Sequence, residues 1–224
     1  MSVTQGQPLN ENEPTTRACT STEARVQPRS DDDYPKVLGR THAHRSSLER
    51  FISKRYALSY GARIEHFADH LVGVTDADGG WTAAVGFTPA GSTPLFIEQY
   101  LDIPIEQAIA ERLGVTVDRS QVVEVGNLAA TVPGAARRLV VAMTRLLHQR
   151  GHTWVAFTST AALLNTFARL DVSTIQLAPA DPSRLHAGAD AWGTYYETRP
   201  LVMAGSIPIE LIRLRARLDH ASLP

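Results

Sequence analysis

From Ser46 onward, apolar residues recur at three- and four-residue steps: Leu48, Phe51, Ile52, Tyr56 and Tyr60. With Ser46 and Ser47 as capping candidates and Gly61 as a stop, this pattern predicts an amphipathic helix. Arg63 to Phe67 and His70 to Thr75 then read as extended chain. Asp76-Ala-Asp-Gly-Gly80 reads as a turn that tolerates positive φ, and Trp81 to Phe87 as a returning strand. Leu95 to Leu101 reads as a third extended piece. Pro104 opens a short helix over Ile105 to Leu113, which Gly114 stops. Val122-Val-Glu-Val-Gly-Asn-Leu-Ala-Ala130 is rich in β-formers. After Thr131-Val-Pro-Gly134, a helix from Ala135 to Arg150 puts Leu139, Val140, Met143, Leu146 and Leu147 on one face, and Gly151 closes it. Thr153 to Thr158 reads as a buried strand, Ala161 to Leu170 as a helix and Ile175 to Leu177 as a short strand. Strands alternate with helices in this second half, so the pattern predicts an α/β sandwich around a mixed sheet.

Residues 1 to 44 show no such period. They are rich in Thr, Ser, Gln, Asn, Pro and charge, which reads as a flexible polar tail unable to offset the entropy of ordering its backbone. The domain is therefore expected over 45–207. The segment 208–224 carries Ile209 to Leu218, a basic amphipathic helix suited to packing or to homodimer formation rather than to a membrane surface.

Composition narrows the function classes. The chain has 224 residues, 43% hydrophobic and 20% charged, which suits one domain plus a tail and excludes a wholly disordered chain. Net charge is -1 with no block of Lys or Arg, which disfavours nucleic acid as a partner. Cys19 is the single cysteine, so neither an internal disulfide nor a Cys-based zinc site can form. Met1 to Pro14 reads as no signal peptide, and apolar stretches such as Leu139 to Met143 are far shorter than the ~20 residues of a membrane span. A cytoplasmic location is the expectation.

Three segments carry candidate chemistry. On the strand from Val122, alternation sets Glu124 on one face beside Val122 and Gly126, so a carboxylate lies among aliphatic residues. Burial would raise its pKa and make it a proton acceptor for an amine; the alternative is a structural glutamate holding loop amides or an arginine. Gly134-Ala135-Ala136 leads into a helix whose first N–H groups are free, a suitable seat for a pyrophosphate, with Arg137 and Arg138 beside it; a plain strand-to-helix connection is the bland alternative. In Phe96-Ile-Glu98-Gln-Tyr-Leu-Asp102, Glu98 and Asp102 could bind an amine or pair with arginines. His66 and His70 are four apart on an extended segment with no third ligand, so no metal site is expected. Neither a Gly-x-Ser-x-Gly elbow nor a Walker lysine loop occurs. Trp192-Gly-Thr-Tyr-Tyr196 offers an aromatic wall for a substrate or for the core.

Several separated blocks together resemble the bacterial thermostable hemolysin family. They are Phe51-Ile-x-x-Arg55-Tyr-Ala-x-x-Tyr60-Gly-Ala, Leu95-Phe-Ile-Glu-Gln-Tyr-Leu-Asp102, Val123-Glu-Val-Gly-Asn-Leu-Ala129, Trp154-Val-Ala-Phe-Thr-Ser-Thr160, Ala180-Asp-Pro182 and Trp192-Gly-Thr-Tyr-Tyr196, spread over residues 46–207. That resemblance implies a GNAT-like α/β/α sandwich with a mixed, mainly antiparallel central sheet, similar to GNAT-type N-acyltransferases and acyl-homoserine lactone synthases. It implies an acyl group moved from a coenzyme A or acyl-carrier-protein thioester to the amine of a small substrate, with no tightly bound cofactor. Glu124 and Glu98 are then the candidate bases. Leu128, Ala129, Thr131, Gly134, Ala135, Ala136, Arg137 and Arg138 would hold the thioester's carrier arm, and Asp102, Asn127, Thr158, Trp192 and Tyr195 the acceptor. Asn127 stands where lactone synthases have an arginine, Thr131 where the GNAT loop has a basic or amide residue, and Phe167 where many GNAT members have the tyrosine that protonates the leaving thiolate. The alternatives are a membrane-active lytic protein, as the family name suggests, and an acyl-carrier-binding module without catalysis.

Overall fold

The computed structural model describes residues 35–131, 134–186 and 188–220, with the backbone alone for Leu170 and residues 215–220. A sheet of seven strands organises them: β1 (Lys36–Leu38), β2 (His70–Thr75), β3 (Trp81–Pro89), β4 (Val122–Ala130), β5 (Trp154–Ser159), β6 (Ile175–Pro179) and β7 (Leu201–Ser206). Their order is β1-β2-β3-β4-β5-β7-β6; β4 and β5 are parallel and every other pairing is antiparallel. The helices are α1 (Arg45–Tyr60), α2 (Ile105–Leu113), α3 (Ala135–Gln149), α4 (Ala161–Leu170) and α5 (Ile207–His220).

Side-chain alternation along the strands assigns the helices to faces. Leu48 and Ile52 of α1 pack with Leu71, Ala84 and Ala129, while Ile105 and Ile109 of α2 pack with Val122, Ala156, Val202 and Ala204. The opposite face holds Val72, Val85, Phe87 and Val123 against Leu139, Met143 and Leu147 of α3, and Phe157 and Met203 against Phe167 of α4. Ile207, at the start of α5, joins the α3 cluster. The α/β/α sandwich with a mainly antiparallel mixed sheet is thus the expected one.

Three segments depart from the sequence pattern. Leu95 to Leu101, expected as extended chain, contains a 3-10 helical turn over Phe96–Tyr100, because the Glu98 carboxylate accepts the Leu95 N–H at 2.9 Å and closes the turn on itself. β7, which the pattern did not mark, sits between β5 and β6. β1 lies inside the stretch 1–44 read as a tail and pairs with Leu71–Gly73; residues 1–34 lie outside the described residues. The junction after β1 is held by Arg45, which is buried and donates to the carbonyls of Ala68 at 2.7 Å and Asp69 at 2.8 Å. The segment leading into β2 is thereby fastened to the start of α1.

Candidate active site

The β4–β5 ladder runs only from Val122↔Trp154 to Val125↔Phe157, yet β4 continues to Ala130 and β5 to Ser159. A bulge explains the parting. On the β3 side, Ala84 faces Ala129 and Gly86 faces Gly126, so Val85 opposes both Asn127 and Leu128, and Asn127 takes a φ of 53°. The Asn127 side chain fastens this bend, its Oδ1 accepting the Ala68 N–H at 2.9 Å and its Nδ2 donating to the His66 carbonyl at 3.2 Å. Gly86 is required here, since a Cβ would lie 2.6 Å from the Ala68 Cβ and 2.9 Å from Asn127 Oδ1.

A cavity of about 260 Å³ occupies the gap and is lined from both sides of the sheet. Beneath α3 and α4 its wall is aliphatic and aromatic: Val125, Leu128, Leu139, Met143, Phe157, Leu163 and Phe167. On the α1 side its wall is Tyr56, Tyr60, His66, Phe96, Trp192 and Tyr195. Gly126 lies between the two sections, and a Cβ built on it would meet nothing within 4 Å. Trp192 is 5.2 Å from Tyr195 and 5.8 Å from Phe96 between ring centroids; His66 stacks on Phe96 at 5.0 Å. The Tyr195 hydroxyl donates to Thr158 Oγ1 at 3.1 Å.

Glu124 reaches this cavity from β4. The Phe96 N–H donates to its carboxylate at 2.8 Å. Burial lifts its pKa most, the Phe96 and Ile97 N–H groups pull it down, and the negative charge of Glu98 adds a further rise, leaving it at about 7. Such a group exchanges a proton near neutrality.

Glu98, the other expected base, is committed elsewhere. Its carboxylate takes Arg119 Nη1 at 2.6 Å and Nη2 at 2.9 Å, together with the N–H groups of Leu95 at 2.9 Å and Ile105 at 3.0 Å. Burial alone would raise its pKa, but Arg119 and these two N–H groups together outweigh it and hold the carboxyl at about 2. With its lone pairs filled it has no capacity to take a proton from an amine. Its work is to hold the 3-10 turn that aims the Phe96 N–H at Glu124.

The other expected site residues divide similarly. Leu128, Asn127, Thr158, Trp192 and Tyr195 line the cavity together with Glu124. Asp102 does not: its side chain is 87% exposed and pairs with Arg184 at 2.6 Å, the arginine pairing that the sequence also allowed. Ala129 is buried under α1 and presents no surface to a ligand. Thr131 spends its hydroxyl on the Thr82 carbonyl at 3.1 Å. Gly134, with φ at 77°, precedes Ala135 and Ala136 in the first turn of α3; Arg137 and Arg138 are exposed there, and Val132 and Pro133 lie outside the described residues. Phe167 is buried edge-on against Phe157 at 5.2 Å. Sequence reasoning weighed His66 only as a metal ligand and Gly126 only as a strand neighbour of Glu124, and took Tyr56 and Tyr60 as a helix's apolar face; the signal for the two tyrosines was their place in a family-like block. Among the described residues there is no group of three or more His, Cys, Asp or Glu able to hold a metal, and no helix long and apolar enough to cross a membrane.

A mixed sheet parted between two parallel central strands and covered by helices on both faces defines a GNAT-like α/β fold. The same fold occurs in a CoA-dependent acyl-homoserine lactone synthase, BjaI, solved with SAM and isopentyl-CoA, at TM-score 0.55 and 11% identity over 83% of this chain and 89% of that one. FeeM, an N-acyl amino acid synthase from uncultured soil microbes, matches at TM-score 0.53 and 14% identity over 80% and 98% of the two chains. TofI in an apo form matches at TM-score 0.53 and 17% identity over 81% and 95%. The chain belongs to the thermostable hemolysin family, whose sequence model matches residues 38–210. No curated protein matches this sequence.

Proposed function

We propose that this protein is an N-acyltransferase that moves an acyl group from a coenzyme A or acyl-carrier-protein thioester to the amine of a small substrate. The observation that carries the reading is the single cavity through the parted β4–β5 ladder, with an apolar section on one side of the sheet, an aromatic section on the other, and Glu124 at the junction. The apolar section suits an acyl chain. The strand edges freed beyond Val125 offer main-chain groups to the pantetheine amides, and the Gly134–Arg138 turn at the start of α3 offers N–H groups and guanidinium charge to the phosphates.

In the reaction, Glu124 takes a proton from the ammonium form of the acceptor, so that a neutral amine presents its lone pair. That lone pair attacks the thioester carbonyl carbon; the new C–N bond forms, the C–S bond breaks, and the sulfur leaves with the bonding electrons. The adduct nitrogen passes its second proton to solvent water or to the departing thiolate as the amide forms, and Glu124 then returns the proton it took to solvent. Phe167 has no proton to give, so this departure proceeds without a tyrosine at that position.

The test is incubation of purified protein with acyl-CoA and acyl-carrier-protein donors of graded chain length and a panel of small amines, with mass detection of N-acyl products. Gly126→Val, which fills the junction, is expected to abolish product while leaving the thermal unfolding temperature within a few degrees of wild type. Product formation undiminished in that variant would remove the cavity from the mechanism.

A further inference from the structure

We infer that the acceptor is a primary amine without an α-carboxylate, an alkyl- or arylalkylamine entering as a monocation, rather than an amino acid. This rests on the acyltransferase reading of the same cavity and adds the class of its second substrate. Charge is the first argument. Arg40 is the one arginine or lysine among the described residues lining the cavity, and it is already bound to Asp69, through Nε at 3.1 Å and through Nη2. The acidic lining residues are Asp69, Glu124 and Glu210. An acceptor carboxylate entering here would leave water for a wall with no uncommitted cation, a costly transfer.

The aromatic section supplies the second argument. Tyr60 meets Tyr195 edge-on at 5.3 Å, Tyr195 lies 5.2 Å from Trp192, and Trp192 meets Tyr56 edge-on at 6.3 Å, so the rings brace one another into a connected wall. Aromatic faces carry negative quadrupole density that attracts an ammonium group and repels a carboxylate. Arg55, which precedes Tyr56 on α1, is not among the residues lining the cavity, although its Nε is buried with no hydrogen-bond partner among the described residues. It is the residue to test as a rival carboxylate holder.

The experiment compares matched pairs: phenethylamine with phenylalanine, tryptamine with tryptophan, and pentylamine with norleucine. Each is offered to the full chain with octanoyl-CoA and with octanoyl-acyl-carrier protein, and N-acyl product is read by mass. Each amine is expected to exceed its amino acid by at least about tenfold in kcat/KM, the scale on which a site rejects a group it cannot pair. Trp192→Leu is expected to raise KM for the amines by about tenfold while the thioester KM stays unchanged. Calorimetric titration of the same pairs reads acceptor binding without turnover and should show the same preference. Equal or better use of the amino acids, particularly if Arg55→Gln then removes it, would overturn the inference and leave acyl transfer standing. Absence of N-acyl product from both members of every pair with both donors, and of binding by either member, would remove the acyltransferase reading together with this one.

Discussion

Glu98 and Glu124 are half-buried carboxylates on neighbouring elements, joined through one 3-10 turn, yet their surroundings drive them in opposite directions. Around Glu98, a bidentate guanidinium and two main-chain N–H groups fill the carboxylate and hold it ionised at about pH 2 and above. Around Glu124, burial is opposed only by the N–H groups of Phe96 and Ile97, and the carboxyl titrates at about 7. Burial acts on both. What separates the two carboxylates is the number of donors brought to each, and Arg119 goes to the first and not to the second.

The comparison can be broken most forcefully by exchanging the carboxylates for amides. Glu124→Gln should lower acyl transfer by about 10²–10⁴-fold, the usual contribution of a positioned proton acceptor, with the fold retained by circular dichroism. Glu98→Gln should destabilise the fold by about 1–3 kcal/mol in denaturant titration, because Arg119 loses its bidentate partner and keeps only Glu106, at 2.8 Å, to balance its charge at a partly buried site. Any fall in its turnover should be restored in part by stabilising conditions, as expected of a residue that acts through the position of Phe96.

Stability against pH sharpens the same contrast. Glu124 sits above the usual 4.5, so its contribution to stability is complete below pH 4.5 and disappears as pH rises to about 7. Glu98 sits below the usual 4.5, so its contribution is complete above pH 4.5 and is lost as pH falls toward about 2. Unfolding titrations at pH 8 should therefore find Glu124→Gln more stable than wild type by about 1–3 kcal/mol, with the difference shrinking toward acid pH. The smallest effect is expected at Asp102, whose exposed pair with Arg184 is worth no more than about 0.5 kcal/mol; Asp102→Asn should leave stability and turnover near wild type.

Much of the scaffold was legible along the chain. Val122 to Ala130 reads as a strand because it is rich in β-formers, and Ala135 to Arg150 reads as a helix because Leu139, Val140, Met143, Leu146 and Leu147 fall on one helical face; the helix found is Ala135–Gln149. Where the reading failed, a distant or non-periodic interaction decided the outcome. Leu95 to Leu101 looks extended by composition, but the Glu98 carboxylate folds back on its own backbone and is held there by Arg119 from a separate turn. Leu201 to Ser206 carries Met, Ala and Gly rather than a run of β-formers, and becomes a strand through pairing with β5 and β6 on both of its edges. For the candidate site, the burial of Glu124 was legible because a lone acid among valines on a strand must be buried or accounted for. The different setting of Glu98 was not, since it depends on where one arginine points. The aromatic wall was half visible: Trp192 and Tyr195 stood out, whereas Tyr56 and Tyr60 join them only once the end of α1 is laid beside the 3-10 turns over 189–198.

The most direct test is the pH dependence of kcat/KM for acyl transfer, measured with one amine and one thioester in wild type and in Glu124→Gln. A rise in wild type through an apparent pKa of about 7, absent from the residual activity of the variant, is the result expected of Glu124 as the proton acceptor. An identical rise in both proteins would place the titrating group elsewhere and contradict the account.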